Sequence, residues 1–290
     1  MPREFVDPYT YPGTGVLRNK PGLRDERALR EFEYEQARSR NEELREKPIA
    51  GKFDLEHLKA IHAYIFQDVY DWAGQLRTVN ISKGGTTFAQ PAFIESEAQR
   101  MSASLAAENH LQGLDKPQFV ERLAHHYGEW NALHPFREGN GRATREFLGQ
   151  LARGAGYELD QTKIDNSQDQ WNDAARRSFA GELEPIKLIF NEAVRHSRAV
   201  AFEHLPEAEA LAKHPELKGA FDGLRAMRDM LAERFVGNEQ AQSHYGAQAR
   251  SEVLRKLDCG QLLASPPERP RAREAKPDYK VGGRSGGVDR

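Results

Sequence analysis

HPFREGNGRATR, residues 134–145, is the stretch that decides how this chain is interpreted. Gly139, Asn140 and Gly141 form a glycine-rich turn, and helical spacing resumes directly after them. At such a helix N-terminus several backbone N–H groups point the same way, and together with the helix dipole they form a cradle for an anion such as phosphate. A Cβ at the turn would block the approach of the phosphate to the backbone. The segment therefore predicts a phosphate-binding loop.

The charged side chains of the loop extend this prediction. Arg142 and Arg145 lie three residues apart on one face of the following helix, where both can bind phosphate oxygens. Glu138 supplies an oxygen ligand for Mg²⁺, the usual companion of nucleotide phosphates, and Asn140 adds a neutral donor. His134 has the ordinary pKa best suited to a general base near neutral pH.

A structural turn between two helices would explain the glycines and Phe136, whose apolar ring is expected to anchor the loop in the core. It gives no reason for His134, Glu138 and the two arginines to occur together. A base, a metal ligand, a phosphate cradle and two cations are what transfer of a phosphoryl or nucleotidyl group to a hydroxyl requires.

Outward from the loop, apolar residues recur mostly at helical spacing. Residues 76–90, LRTVNISKGGTTFAQ, instead favour a β-hairpin. The predicted fold is therefore all-α, a helical bundle with one small hairpin. Helices are predicted over residues 24–47, 54–68 with Asp54 as N-cap, 92–110, 117–133, 141–153, 167–180 and 183–204, with two or three more in 206–263.

Composition changes along the chain predict four segments. They are an N-terminal arm and helix (1–50), a catalytic domain (51–204), a small helical module (205–264) and a disordered basic tail (265–290) rich in Pro and Gly.

The bulk properties exclude several classes of function. The net charge of −2 gives the molecule no general attraction to nucleic acid or membrane. The single cysteine, Cys259, cannot form an intramolecular disulfide or a cysteine-based zinc site. With no signal-peptide pattern and no membrane-length apolar run, a cytoplasmic protein is expected, with delivery into another cell left open.

The loop resembles the motif HxFx(D/E)GNGRxxR of the Fic (Fic/Doc) family and meets every defined position. The resemblance extends to DPYTYPGTGVLRNK, DVYDWAGQLRTVNISKGG and FAQPAFIE, so it covers roughly residues 5–195. It implies a compact helical fold and protein adenylylation with ATP as substrate and Mg²⁺. His134 would deprotonate a Ser, Thr or Tyr of a target protein, the hydroxyl would attack the α-phosphate, and pyrophosphate would leave.

The resemblance also assigns the site residues. It makes Glu138 the metal ligand and the hairpin the family's flap, whose edge strand holds a target protein by strand addition. Trp171 or Asn172 is expected against the adenine. The nucleotide-binding set that it implies is Lys83, Gly84, Phe136, Glu138, Gly139, Asn140, Gly141, Arg142 and Arg145.

Two details refine the resemblance. In the Doc relatives, which act as kinases, a lysine replaces the second glycine of the motif, so Gly141 favours AMP transfer. Many members also carry an inhibitory helix with the pattern (S/T)xxxE(G/N), whose Glu pairs with the second motif arginine. The match at 104–109 lies between flap and motif, and we interpret it as a coincidence. We therefore expect inhibition in trans by a small antitoxin at Arg145. Family targets include gyrase and topoisomerase IV, which makes a topoisomerase a candidate partner.

Three other interpretations stay open at the level of sequence. The same fold could use another phosphodiester donor, such as UTP or CDP-choline, or act as a kinase. The chain could be a catalytically silent module that binds a partner strand at the flap, although the intact His134 argues against this. Residues 206–290 could instead be the main functional unit, as a docking or secretion segment that carries the rest as cargo.

Overall fold

The structure is a computed structural model and describes residues 7–83 and 85–267. This part of the chain is mostly helical, with two small antiparallel sheets. The helices are α1 (Glu26–Glu46), α2 (Leu55–Phe66), α3 (Ile94–Ala107), α4 (Lys116–Leu133), α5 (Asn140–Gly154), α6 (Gln161–Asp165), α7 (Gln168–Phe179), α8 (Glu184–Ala193), α9 (Ser197–His204), α10 (Glu207–Lys213), α11 (Lys218–Arg234) and α12 (Glu239–Asp258). The strands are β1 (Ser82–Lys83), β2 (Thr86–Thr87), β3 (Tyr157–Leu159) and β4 (Val194–His196).

Local sequence signals explain where the helices begin. The Asp54 carboxylate accepts a hydrogen bond from the backbone N–H of His57 at 2.9 Å, so Asp54 caps α2 as the sequence predicts. Asp115 caps α4 in the same way through Gln118. The predicted all-α fold with a small hairpin is confirmed.

The main core is built around α2, α4 and α5. The segment 134–145 begins directly after α4 and continues into the first turns of α5. Phe147, Leu148 and Leu151 of α5 are fully buried. Because α5 is fixed in the core along most of its length, its N-terminus, which opens the loop, has a fixed position relative to the end of α4.

The predicted hairpin is present as β1 and β2, with Lys83 opposite Thr86 in the register. A second sheet was not predicted from the sequence. It pairs β3 with β4, and Tyr157 lies opposite His196. The prediction of one helix over 183–204 was therefore wrong, because Val194 leaves helical geometry at the end of α8 and is fully buried in an extended segment.

A second hydrophobic core belongs to the C-terminal helices. It contains Ala199 and Phe202 of α9 together with Phe221 and Leu257. This second core therefore includes α9, which lies before residue 205, and the predicted domain boundary at 205 stays a prediction. The predicted disordered tail lies largely outside the described residues, which end at 267.

Among the described helices, none combines the length and the apolar character that crossing a membrane requires.

Candidate active site

His134 follows the last residue of α4 and adopts a left-handed backbone conformation, with φ at 47°. Its Nδ1 lies 3.1 Å from the carbonyl oxygen of Asn131. Because a carbonyl oxygen can only accept, Nδ1 carries the hydrogen of the neutral ring, and the lone pair is on Nε2. The ring of Phe88 lies parallel to the imidazole at 3.8 Å. His134 is therefore held in one tautomer and one orientation.

The surroundings of His134 keep it neutral. Burial is the largest cause that lowers its pKa, to about 4, and the charges of Lys83 and Arg77 act in the same direction. The hydrogen bond from Nδ1 to the carbonyl oxygen of Asn131 and the charge of Glu138 oppose this lowering. At neutral pH the ring can therefore accept a proton, as a general base must.

His62 of α2 supports the interior of the loop. Its Nδ1 accepts from Gly74, so Nε2 donates to the carbonyl oxygen of Glu138 at 2.9 Å. Its ring stacks on Phe136 at 3.8 Å. Phe136 is fully buried, as expected of a core anchor, so its ring does not face the cavity and its predicted contact with the nucleotide stays a prediction for the backbone alone.

Asn140 braces the loop from the other side. Its amide oxygen accepts from the backbone N–H of Phe136, and its amide nitrogen donates to the carbonyl oxygen of Phe136, both at 2.8 Å. One amide hydrogen is left over, so contact with a phosphate oxygen stays a prediction for that hydrogen alone.

Two glycines of the loop serve different purposes. Gly139 has a φ of +80°, and a Cβ there would lie 2.3 Å from the Phe66 ring. A Cβ on Gly141 would meet no described atom within 4 Å. The fold requires the first glycine, whereas the space beside the second is open to a ligand.

Arg142 has a partner that the sequence did not indicate. Its guanidinium forms an ion pair with Glu33 of α1 and lies 4.7 Å above the Phe66 ring. The other oxygen of Glu33 accepts from the hydroxyl of Tyr70, which is almost fully buried. An N-terminal helix thus supplies a carboxylate to the first motif arginine.

Arg145 also meets a carboxylate, that of Asp165 at the end of α6, at 2.6 Å. Its side chain is only 15% exposed, and its Nε is buried without a hydrogen-bond partner among the described residues. The guanidinium carbon lies 5.8 Å from the Trp171 ring. A donor left unsatisfied at this position is what a site for an anionic ligand provides.

A cavity of about 460 Å³ opens beside His134. Lys83 of the flap lines it, and so do the predicted adenine contacts Trp171 and Asn172. Phe88 and Phe179 form an aromatic wall. The structure therefore brings the base, the flap lysine and both adenine candidates together, while the predicted contact of Gly84 lies outside the described residues.

The segment 104–109, which matches the inhibitory pattern, is occupied elsewhere. Arg122 donates two hydrogen bonds to the Glu108 carboxylate, at 2.7 and 2.6 Å. These contacts tie Glu108 to α4 and give it a structural role, away from the motif arginines.

The residues present fit a magnesium ion through one carboxylate. Glu138 is 47% exposed, and one of its oxygens accepts from the backbone N–H of Gly139 at 2.9 Å. In residues 7–83 and 85–267 no group of three or more acidic, histidine or cysteine side chains could hold a metal ion by itself. Mg²⁺ commonly needs only one or two carboxylates when substrate phosphates complete its shell.

Comparison with known proteins agrees with this geometry. Residues 52–152 match the model of the Fic/DOC family. The chain is 49% identical over 162 residues to the "Protein adenylyltransferase VbhT" of Bartonella schoenbuchensis, a match that covers 56% of this chain and 34% of VbhT. It is 42% identical over 191 residues to the "Probable protein adenylyltransferase Fic" of Escherichia coli, which covers 66% of this chain and 94% of that protein.

A solved structure shows the same fold. It is the N-terminal Fic domain of a VirB-translocated effector from Bartonella quintana with bound ADP, at 28% identity and a TM-score of 0.62. The match covers 66% of this chain and 96% of that domain.

Proposed function

Since the chain belongs to the Fic/DOC family, we propose that it is a protein adenylyltransferase, which transfers AMP from ATP to a hydroxyl group of another protein. The observation that carries the proposal is the neutral, oriented imidazole of His134 beside an open anion cradle at the start of α5. The chain spans about a third of the length of VbhT, so the activity of that whole protein supports the proposal for this chain and does not establish it.

The base step follows from the tautomer. With Nδ1 bound to the carbonyl of Asn131, Nε2 of His134 takes the proton from the acceptor hydroxyl. The oxygen then attacks the α-phosphorus of ATP, the bond to the bridging oxygen breaks, and pyrophosphate leaves. Asn131 holds the ring in place as it becomes positively charged.

The phosphates are bound by the start of α5. Its first N–H groups have no partner within the helix, and Gly141 leaves room for a phosphate to reach them. Arg145 contributes its unsatisfied Nε, and the phosphate replaces Asp165 as the partner of its guanidinium. Arg142 adds charge from the side of α1, held there by Glu33.

Glu138 is the residue that would hold Mg²⁺. When bound, the ion neutralises charge on the phosphate oxygens. The Glu138 carboxylate is more accessible than most of the loop, because its backbone carbonyl is held by His62 and one oxygen rests on Gly139.

We assign acceptor binding to the flap. Its strand β1 is exposed, and an extended target segment can add to such an edge through backbone hydrogen bonds. Phe88, which follows β2, stacks on His134, so the flap and the base have a fixed spacing. A topoisomerase remains a candidate target on the family resemblance.

We further propose control in trans by a small antitoxin, acting in the cytoplasm. Glu108 of the one matching segment is bound to Arg122, so it is not available to Arg145. An acidic side chain of a partner could replace Asp165 at Arg145 and prevent productive binding of ATP.

The test uses the full chain, ATP labelled at the α-phosphate, Mg²⁺ and a lysate of candidate host cells. We expect a lysate protein to take up label with the wild type and with His204→Ala, an exposed histidine of α9. His134→Ala should lower labelling by at least about 100-fold, since it removes the general base.

Other outcomes assign other functions. Label that arrives only from ATP labelled at the γ-phosphate would contradict AMP transfer and indicate a kinase. Label from UTP or CDP-choline alone would indicate another donor. Nucleotide binding without any transfer, in every lysate tried, would favour a binding module.

A further inference from the structure

Arg77 lies outside the motif of residues 134–145 and nevertheless donates hydrogen bonds to its first two residues, His134 and Pro135, and to Leu133, which precedes them. We propose that Arg77 is a positioning residue, whose buried guanidinium holds the backbone of His134 and both ends of the flap hairpin as one unit. The inference rests on the proposed function in taking His134 as the base.

The contacts of Arg77 all go to the main chain. Its Nε donates to the carbonyl oxygen of His134 at 2.8 Å, and its backbone N–H donates to that of Pro135 at 2.9 Å. One Nη donates to Leu133 at 3.3 Å and also to Ala89. The other donates to Val79 at 2.8 Å.

These acceptors belong to the two ends of the flap hairpin and to a segment more than 50 residues further along the chain. Leu133 to Pro135 join α4 to the loop, Val79 precedes β1, and Ala89 follows β2. The planar guanidinium of Arg77 carries five N–H donors and serves four carbonyl groups at once, whereas a lysine ammonium has three donors on a single atom. Arg77 therefore fixes the distance between the flap and the base.

The cost of this arrangement argues for a role beyond packing. Arg77 is only 2% exposed, and no described carboxylate forms an ion pair with it. A buried cation without a counter-ion is expensive. A neutral hydrophobic side chain would be the cheaper filling for a purely structural position.

The gain is made at His134. A left-handed conformation is unfavourable for a residue with a side chain, and the hydrogen bond from Arg77 to the carbonyl oxygen of His134 stabilises that geometry. Phe88 precedes Ala89, so the same clamp holds the ring that stacks on the imidazole.

Arg77 also acts through its charge. The charged groups that face His134 are Lys83 of the flap, Glu138 of the loop and Arg77, which precedes the flap. Of these, Lys83 and Arg77 favour the neutral ring. Removing Arg77 should therefore raise the pKa of His134, because one cation that opposes protonation is gone.

Two variants separate geometry from charge. Arg77→Met removes both, and Arg77→Lys keeps a cation while losing the fork of donors. Arg122→Met is the matched control, because it removes a half-buried arginine from α4 about 18 Å along the helix from His134. Each variant is measured for unfolding free energy, for KM and kcat with ATP and target, and for the pKa of His134 by histidine-ring NMR, with signals assigned by their absence in His134→Ala.

We expect kcat to fall about 100-fold in Arg77→Met, as a misplaced base requires. KM for the target should rise while affinity for ATP changes little. The pKa of His134 should move upward in Arg77→Met and less in Arg77→Lys, although both lose kcat. Arg122→Met should lose stability without moving the pKa of His134.

The proposal is wrong if both Arg77 variants lose only stability, with kcat per folded molecule and the pKa of His134 as in the wild type. If they do not fold, Val79→Pro and Ala89→Gly replace them, because they disturb the flap ends that Arg77 holds. Because both fallback variants keep the Arg77 charge, kcat is their readout, and a wild-type kcat in both would overturn the proposal. The NMR readout needs no substrate, so absence of any transferase activity in the wild type contradicts the proposed function and leaves the Arg77 result interpretable.

Discussion

At the scale of single residues, the loop shows that two glycines of one motif can be required by different partners. The backbone at Gly139 is left-handed and passes against the Phe66 ring, so the protein itself excludes a side chain there. Gly141 has ordinary backbone geometry and open space. Its lack of a side chain matters for what binds beside it.

Alanine substitution should separate the two cases. Gly139→Ala should lower the unfolding free energy by about 1–2 kcal/mol through its positive φ, with a further cost for displacing Phe66. Gly141→Ala should leave stability unchanged or raise it by up to about 1 kcal/mol, yet weaken ATP binding about tenfold, or 1.4 kcal/mol. Denaturant unfolding and calorimetry measure both. Wild-type ATP affinity in Gly141→Ala would show that the phosphate does not approach this glycine.

At the scale of elements, α1 is more than a cover for α2. Glu33 reaches Arg142, and Tyr70 secures the other oxygen of that carboxylate. The Glu33 side chain is 12% exposed, in contrast to the exposed pairs elsewhere on α1, such as Arg27 with Glu31. The N-terminal helix is thereby linked to the phosphate-binding helix α5.

Glu33→Gln should therefore lower the unfolding free energy by about 1.5–3 kcal/mol, since it weakens hydrogen bonds made to a charged group. Glu31→Gln on the same helix is the control and should change stability far less, because exposed ion pairs contribute little. Unfolding of Glu33→Gln, Arg142→Gln and the double variant gives the coupling between the two side chains. Strictly additive effects would mean that the ion pair does not stabilise the protein.

At the scale of the whole molecule, neutral histidines that are buried or half-buried lower the stability of the fold in acid. Burial is the largest cause that lowers the pKa of His62 to about 3 and those of His134 and His196 to about 4. These groups stay unprotonated in the folded chain but take up protons near pH 6.5 when it unfolds. Between about pH 6.5 and 4 the unfolded state binds more protons, so stability falls as the pH falls.

Denaturant unfolding at pH 7, 6 and 5 should show this loss, with a slope of up to about 1.4 kcal/mol per pH unit for the fully buried His62 and a smaller one for the half-buried His196, where solvent screens the effect. His196 lies outside the loop, and His196→Asn should give a shallower fall of unfolding free energy with pH than the wild type. The carboxylates with lowered pKa, such as Glu108, contribute mainly below pH 4.5. Constant stability from pH 7 to 5 would contradict the assignment of these histidines as buried and neutral.

Much of this could be predicted from the sequence because it rests on short-range patterns. The cap at Asp54, the apolar periodicity of α2 and α4, and the hairpin around Lys83 each depend on residues a few positions apart. The break at Val194 could not be predicted in this way. Its cause is pairing with residues 157–159, which no local pattern records.

The sequence by itself determined the chemistry of the loop, because His134, Glu138, Gly141 and the two arginines lie within one turn and one helix face. Only the tertiary structure decided which distant residues contact the loop and hold it in place. Glu33, Arg77 and Asp165 come from positions 20 or more residues away, and each contact depends on how α1, the flap and α6 pack around α5. The packing of distant elements is a collective result of burial and backbone hydrogen bonding. A motif can therefore identify the reacting groups without identifying the residues that position them.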